Sequence, residues 1–343
     1  MLQKKNIFVL MGGNSPEHEI SLLSGREVVN NIDSSKYNIF PIVISKNGKQ
    51  WRLTTKESLK LFGNPIKLKG TNKEVQLVKS DEYQSITSIK YSPDIVFIAL
   101  HGPGGEDGTV QGTLDLMGIK YTGSGVLASA LGMDKLMFRK IMEGANLPIP
   151  KYAVLKRGDF SESVRKFVGE PPYLVKPNDQ GSSVGVSIAN NLVELKRSLN
   201  VAWKYSSIAL VDEYVKGVEV TCGVLGNDKP FALPLVEIIP KGSAFFDYES
   251  KYSESGSEEI VPARIGRNLT KVVQNIAVSV HTLLGCRGFS RVDFILRNGN
   301  DPYILEINTI PGLTPMSLLP KAAKAYGLSY PKLLDKIISY AIK

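Results

Sequence analysis

This chain has little of what builds disulfide frameworks, zinc centres or membrane spans. Among its 343 residues there are two cysteines, Cys222 and Cys286, and three histidines, His18, His101 and His281. Two cysteines without metal-ligand spacing exclude a disulfide scaffold, and so few histidines make a zinc site improbable. No apolar run approaches the ~20 residues that cross a bilayer. Near the start, Lys4 and Lys5 precede Ile7-Phe8-Val9-Leu10-Met11, but that run is too short for a signal peptide and ends in Gly12-Gly13. It reads as a first core strand, and the chain as cytoplasmic. Internal repeats and low-complexity tracts are also missing. Acidic residues are in deficit, 33 against 42 Lys and Arg, leaving a net charge of +9. The surplus gathers between Lys46 and Lys79, where nine basic residues face two acidic ones. Only Trp51 and Phe62 interleave there as aromatics, and none of the motifs below falls in it. The stretch reads as solvated surface, with nucleic-acid binding a minor alternative.

What is present is an ordinary globular composition, 43% hydrophobic and 22% charged, over a length that implies two or three domains. The first segment alternates strand and helix patterns: a strand over Asn6 to Met11, a helix over Ser15 to Asn31, a strand over Tyr37 to Ser45, and a buried strand over Asp94 to Leu100. Gln50 to Val78 reads as irregular and polar. Such alternation predicts a parallel, doubly wound α/β sheet, with ligands bound by loops at the carboxyl ends of strands. Gly12-Gly13-Asn14-Ser15-Pro16-Glu17 and His101-Gly102-Pro103-Gly104-Gly105-Glu106-Asp107-Gly108 are two such loops. From Ser124 the pattern is helical to Leu147, where Pro148 and Pro150 break it. Strands over Tyr152 to Leu155 and Tyr173 to Lys176 follow, then a Gly/Ser hairpin turn over Asn178 to Ser187, and a helix over about Leu192 to Ser206. Leu269, Val272, Val273, Ile276, Val280, Leu283 and Leu284 give a further helical period, stopped at Gly285.

The densest chemistry lies in two strand-like runs, Gly288 to Leu296 and Pro302 to Asn308. Strands alternate faces with a period of two, so Arg291 and Asp293 share a face, as do Glu306 and Asn308. If the strands are neighbours, two carboxylates, one amide oxygen and one guanidinium collect in one patch. Carboxylate and amide oxygens suit Mg²⁺ bound with substrate phosphates, and the arginine suits charge developing on an oxygen. Alternating polar residues also describe the wet face of any half-buried strand.

Other candidates are weaker alone. Gly181-Ser182-Ser183-Val184-Gly185 offers consecutive backbone N–H groups that could close over a triphosphate. It is equally an ordinary glycine hairpin, and not a Walker A loop. Lys176 lies in the strand before it. Lys135 heads a helix after Met133-Asp134, as a phosphate lysine or a surface charge. Glu17 complements a helix dipole without further function, yet it also sits where a carboxylate could meet a substrate ammonium. His101 either serves a ligand or completes the end of its strand. Phe245 to Ser257 mixes aromatics, serine, glycine and charge without strand or helix period, as a lid or a surface loop would.

Taken in order, seven stretches resemble the D-alanine–D-alanine ligases of the ATP-grasp superfamily: GGNSPEHEISLLSG (12–25), HGPGGEDGTVQGTLDLMGIKYTGSGVLASALGMDK (101–135), VKPNDQGSSVGVS (175–187), DEYVKGVEVTCGVLG (212–226), FFDYESKY (245–252), GFSRVDF (288–294) and LEINTIPGLTPMSLLP (305–320). The resemblance covers nearly the whole chain. It implies an α/β ATP-grasp fold with an N-terminal doubly wound (Rossmann-like) domain. The expected boundaries are 1–123 for substrate binding, 124–210 for a central subdomain and 211–343 for a C-terminal subdomain.

The resemblance also implies roles. Asp293, Glu306 and Asn308 would hold two Mg²⁺ ions, with Mn²⁺ as a substitute, against the phosphates of ATP. Lys135 and Lys176 would contact the α- and β-phosphates, Lys251 the γ-phosphate, and Ser183 the nucleotide from the hairpin. Asp212, Glu213 and Val215 would line the adenine pocket and Glu219 would take the ribose hydroxyls. Glu17, hydrogen-bonded to Ser182 and Tyr252, would bind the ammonium of the first D-alanine beside His101. Arg291 and the Gly312 N–H would form the oxyanion site, and Ser317 with Leu318 would receive the second D-alanine's carboxylate. The implied reaction makes D-alanyl-D-alanine through a D-alanyl phosphate, for peptidoglycan synthesis, in a homodimer that needs neither membrane nor nucleic acid. Lys251-Tyr252 favours D-alanine as the acceptor, with D-lactate the runner-up, and leaves D-serine open. A non-catalytic nucleotide-binding relative would lack a metal ligand or the arginine, and all four are here.

Overall fold

Ile7 to Met11 is apolar on both faces because its strand is covered on both sides. The computed structural model describes residues 4–59, 84–85, 92–159, 164–241 and 257–342. In the first sheet, β1 (Lys5–Gly12), β2 (Tyr37–Ile44), β3 (Trp51–Leu53), β4 (Gln84–Ser85) and β5 (Ile95–Ile98) lie in the order β4-β3-β2-β1-β5. β1 runs parallel to β2 and β5, as the alternation predicts. The edge departs from expectation: Trp51 to Leu53, read as irregular, forms an antiparallel strand on β2. Trp51 and Leu53 pack on the first core while Arg52 alternates between them, a period hidden among surrounding charges. The sheet is therefore mixed, with a parallel centre.

The first helix runs over His18–Asn31, three residues later than expected. Ser15 turns the chain instead, donating its hydroxyl to the His101 carbonyl at 2.8 Å and accepting the Glu17 N–H at 3.1 Å. Ser21 then accepts the Gly12 N–H at 2.8 Å and donates to the Ala99 carbonyl at 2.7 Å, tying the helix to the ends of β1 and β5. The helical stretch after Ser124 is two helices, Val126–Met133 and Lys135–Gly144. The break falls at Asp134, whose carboxylate accepts the Met137 N–H at 2.9 Å as an N-cap.

A second sheet, wholly antiparallel, holds β6 (Tyr152–Lys156), β7 (Tyr173–Pro177), β8 (Ser187–Ala189) and β9 (Ile208–Glu213) in the order β6-β9-β7-β8. β7 and β8 pair from Val175 and Ser187 outwards, so the Gly/Ser run is a hairpin connection as expected. The helix after β8 covers Leu192–Ala202, ending four residues before the expected Ser206.

The third sheet is antiparallel: β10 (Gly217–Leu225), β11 (Phe231–Ala232), β12 (Val236–Pro240), β13 (Ser257–Ile260), β14 (Phe289–Arg297) and β15 (Asp301–Asn308), in the order β13-β12-β10-β14-β15, with β11 on β10. Helix Arg267–Leu283 ends at the positive-φ Gly285, at +71°, where the periodicity stopped. Ala128, Phe138 and Met142 pack into this sheet's core with Val220, Val292 and Phe294. The last helices, Leu318–Ala325 and Tyr330–Ile342, return to complete the first core beside β1 and β5. Among the described residues, no helix is long and apolar enough to cross a membrane.

Candidate active site

The site starts from one antiparallel ladder. β14 and β15 pair with Asp293 opposite Glu306 and Arg291 opposite Asn308, so the four polar side chains expected to share a patch do so. β10 flanks β14 on the other side and places Thr221 opposite Asp293. The Asp293 carboxylate gathers donors: Arg291 Nε and Nη2 at 2.8 Å each, Asn308 Nδ2 at 3.0 Å and the Thr221 hydroxyl at 2.5 Å. Hard oxygen donors on adjacent rigid strands are the chemistry Mg²⁺ requires.

This ladder floors a cleft of about 640 Å³ between the second and third sheets. Lys135, Lys176 and Ser183 enter it from the second sheet's side, and Asp212, Glu213, Val215 and Glu219 line it where β9 passes into β10. Lys176 is buried and ion-paired with Asp212 at 2.8 Å, and Arg139 Nη2 holds the same carboxylate oxygen at 2.6 Å. Asp212 Oδ2 thus holds two cations, while Oδ1 is buried without a hydrogen-bond partner among the described residues. Glu213 pairs with Arg297 at 2.8 Å and accepts the Lys151 N–H at 2.9 Å. Lys135 donates to the Gln180 carbonyl at 2.5 Å, fixing the helix head to the hairpin.

The hairpin reaches the first sheet. Ser182 donates its hydroxyl to Glu17 Oε1, across 165 residues of sequence. Ser182 and Ser183 hold positive φ of 47° and 59°, a left-handed conformation that costs an L-residue about 1–2 kcal/mol. Such strain gathers at ligand clamps. Glu17 is buried at the N-cap of helix His18–Asn31.

His101 follows β5 and is fully buried. Its Nδ1 lies 3.1 Å from the Ile310 carbonyl, which can only accept, so Nδ1 carries the proton. Nε2 then accepts from Ser24 Oγ at 2.8 Å. Burial holds the imidazole below its ordinary pKa; Glu17 opposes that and Arg291 adds to it. Past β15, Ser317 Oγ accepts the Thr314 N–H at 3.2 Å and lies 2.8 Å from Thr314 Oγ1. A Cβ on Gly312 would come within 2.9 Å of Ser317 Oγ, so the two are in contact across this turn, with Leu318 opening the next helix.

Lys251, Tyr252 and the rest of the 245–256 stretch lie outside the described residues, as does most of the basic run after Leu59. Four residues escaped sequence reasoning. Arg139 and Thr221 had signals, a cation in a helix over a strand carboxylate and a hydroxyl two positions beyond Glu219 on one strand face. Ser24 and Glu106 sat in quoted motifs without a local cue to their partners. The Glu106 carboxyl is pushed up to about 8 by burial first and by the Glu17 charge second.

Two antiparallel sheets enclosing one cleft, Lys176 on one and a carboxylate ladder on the other, define an ATP-grasp fold. Residues 6–124 match the family model for the D-ala D-ala ligase N-terminus and 141–339 that for the D-ala D-ala ligase C-terminus. The chain belongs to the D-alanine–D-alanine ligase family. It is 42% identical over 340 residues to the D-alanine–D-alanine ligase of Desulforudis audaxviator, covering 98% of each chain. Among solved structures it is similar to the VanG D-Ala:D-Ser ligase from Enterococcus faecalis, with TM-score 0.84 and 35% identity over 99% of this chain and 100% of that one. It is also similar to the Bacillus anthracis D-alanine–D-alanine ligase complexed with ATP, with TM-score 0.74 and 31% identity over 98% and 97%.

Proposed function

We propose that this chain joins two D-alanines to D-alanyl-D-alanine at the expense of ATP, for peptidoglycan precursor synthesis in the cytoplasm, as a homodimer. The carrying observation is the Glu17–Ser182 hydrogen bond, which joins an amino-acid pocket on the first sheet to the hairpin over the nucleotide cleft.

Glu17 takes the ammonium of the first D-alanine and aims its carboxylate at the cleft. That carboxylate attacks the γ-phosphate of ATP, giving D-alanyl phosphate and ADP. Lys135 and Lys176 meet the phosphates, since phosphoryl transfer needs mainly positioning and charge stabilisation. Lys176 exchanges part of its contact with Asp212 for phosphate oxygens. Asp293, Glu306 and Asn308 would hold two Mg²⁺ ions, or Mn²⁺ in their place, which neutralise phosphate charge when bound. The adenine sits against Asp212, Glu213 and Val215, and the ribose against Glu219.

The amine of the second D-alanine, held by its carboxylate at Ser317 and Leu318, then attacks the acyl carbon. Arg291 and the Gly312 N–H face the tetrahedral oxyanion, each donor worth about 3 kcal/mol in such sites. Collapse expels phosphate and leaves the dipeptide. His101, neutral and with both nitrogens occupied, orients the pocket and is not the base. Lys251 and Tyr252 complete the γ-phosphate and D-alanine contacts.

D-Serine as acceptor is the second reading, because one of the similar structures is a D-Ala:D-Ser ligase. Phosphate release from MgATP is measured with D-alanine alone and with D-alanine plus D-serine or D-lactate, and products are identified by mass. D-Alanyl-D-alanine formed one-to-one with phosphate supports the ligase, a mixed product under competition moves the acceptor, and absence of D-alanine-dependent turnover overturns the reading.

A further inference from the structure

Ile310 lies midway between the candidate metal ligand Asn308 and the candidate oxyanion donor Gly312, and the loop after β5 holds both polar atoms of its backbone. Its N–H donates to Glu106 Oε1 at 3.1 Å, and its carbonyl accepts from His101 Nδ1 at 3.1 Å. The other Glu106 oxygen, Oε2, accepts the Gly102 N–H at 2.8 Å. Gly102 in turn lies against Glu17: a Cβ there would come within 2.7 Å of Glu17 Oε2. One buried carboxyl therefore bridges the amino-acid pocket and the turn that leaves the catalytic ladder. Burying a carboxyl beside another carboxylate is costly, and its raised proton affinity, to about 8, reflects that cost. A water or a neutral amide could satisfy one backbone N–H more cheaply. A carboxylate reaches one N–H with each oxygen and so spans two segments, where a single acceptor oxygen would have to draw both N–H groups to one point.

The geometry points to Glu106 as a positioning residue that registers the Thr309–Gly312 turn against the first D-alanine, so that the acyl carbon faces the Arg291 and Gly312 donors. This rests on the ligase reading above. The hydrogen bonds of Glu106 run to the Gly102 and Ile310 N–H groups, and Glu106 is not among the residues lining the nucleotide cleft. Phosphoryl transfer in the cleft should therefore outlast loss of the bridge better than amide formation does. When the second step slows, water attacks the waiting D-alanyl phosphate and returns D-alanine and phosphate. More phosphate is then released than dipeptide made.

The test uses the full chain with MgATP and D-alanine, comparing the parent with Glu106→Gln, which keeps the volume but turns one acceptor into an N–H facing an N–H. The expected result is a kcat lower by about tenfold or more, with phosphate per dipeptide rising from one to about two or more. Affinity for a non-hydrolysable ATP analogue stays within about twofold. Glu106→Asp, too short to span both N–H groups, raises the ratio as well. A folded variant with a ratio of one and near-parent kcat overturns the inference, and so does failure of both variants to fold, which would make the role structural. If the parent itself shows no D-alanine-dependent turnover, the ligase reading falls separately. Hydrogen exchange over 309–312 then decides the bridge, faster by about tenfold in Glu106→Gln if it exists and unchanged if it does not.

Discussion

Thr221 donates its hydroxyl to Asp293 at 2.5 Å, directly across the β10–β14 ladder. The same hydroxyl has a second acceptor within reach, the Val292 carbonyl at 3.2 Å, and the shorter, charge-assisted contact takes its single proton. Asp293 is thereby held in one orientation before any cation arrives. Thr221→Val is close to isosteric and removes only that bond. Partners that orient a metal ligand typically contribute 10–100-fold in affinity. The expected outcome is an Mn²⁺ dissociation constant raised by about tenfold in the presence of a non-hydrolysable ATP analogue, read by electron paramagnetic resonance. Thr221→Ser should recover most of it.

The Arg139–Asp212–Lys176 cluster is the most buried charge cluster among the described residues, with Arg139 wholly enclosed. Two cations share one carboxylate, so removing a cation and removing the anion differ sharply. Asp212→Asn leaves two buried cations facing a neutral amide, a situation that costs about 3–5 kcal/mol. Arg139→Met leaves the Asp212–Lys176 pair intact and should cost distinctly less. Denaturant unfolding of the two variants checks the order, and equal losses would mean the cluster does not act through shared charge.

The sequence carried the ladder well because every signal for it was local. Arg291, Asp293, Glu306 and Asn308 sit at period two in two strands joined by a short turn through Asn298 and Gly299, at φ of 51° and 73°. A tight connection makes hairpin neighbours of successive strands. The Gly/Ser hairpin was legible for the same reason. Trp51 to Leu53 was not, since three residues among lysines give no window in which a period can show. Glu106 was missed for a different reason: its partner Ile310 is 204 residues away, and no local pattern encodes a contact at that range. The same limit hid the return of Leu333, Leu334, Ile337 and Ile338 to the core of the first sheet.

His281 gives the fold an acid limit. The ring is buried, with Nδ1 2.7 Å from Ser290 Oγ, while Nε2 donates to the Gly226 carbonyl at 3.2 Å. Nδ1 therefore accepts and the ring is neutral. Burial lowers its pKa to about 4, although the Gly226 bond works the other way. A group whose folded pKa is depressed contributes stability that is present above the unfolded value, near 6.5 for histidine, and lost as pH falls through the folded one. Between about pH 6.5 and 4 this histidine alone should remove about 3 kcal/mol of unfolding free energy. His101, also lowered by burial, adds to the same fall. Urea unfolding across that window should show a clearly shallower slope in His281→Gln than in the parent.

Glu17 lies between two glycines, and they predict a graded effect on the first substrate. A Cβ at Gly102 would approach Glu17 Oε2 to 2.7 Å, and one at Gly181 would approach the same atom to 2.9 Å. A free carboxylate end could swing aside, but this one is bonded to Ser182, so moving it breaks the link to the hairpin. The backbone separates the two sites. Gly102 has φ of +71°, which an alanine adopts only with strain, and Gly181 does not appear among the positive-φ residues. Gly181→Ala should therefore raise the KM for the first D-alanine by about tenfold with stability nearly unchanged, the size of effect expected from losing a charge-assisted hydrogen bond. Gly102→Ala should do the same and also lower stability by about 1–2 kcal/mol. Steady-state kinetics at saturating ATP, with thermal unfolding on the same samples, separates them. Equal stability in the two variants would mean that Gly102 is kept for the room it leaves beside Glu17 and not for its backbone.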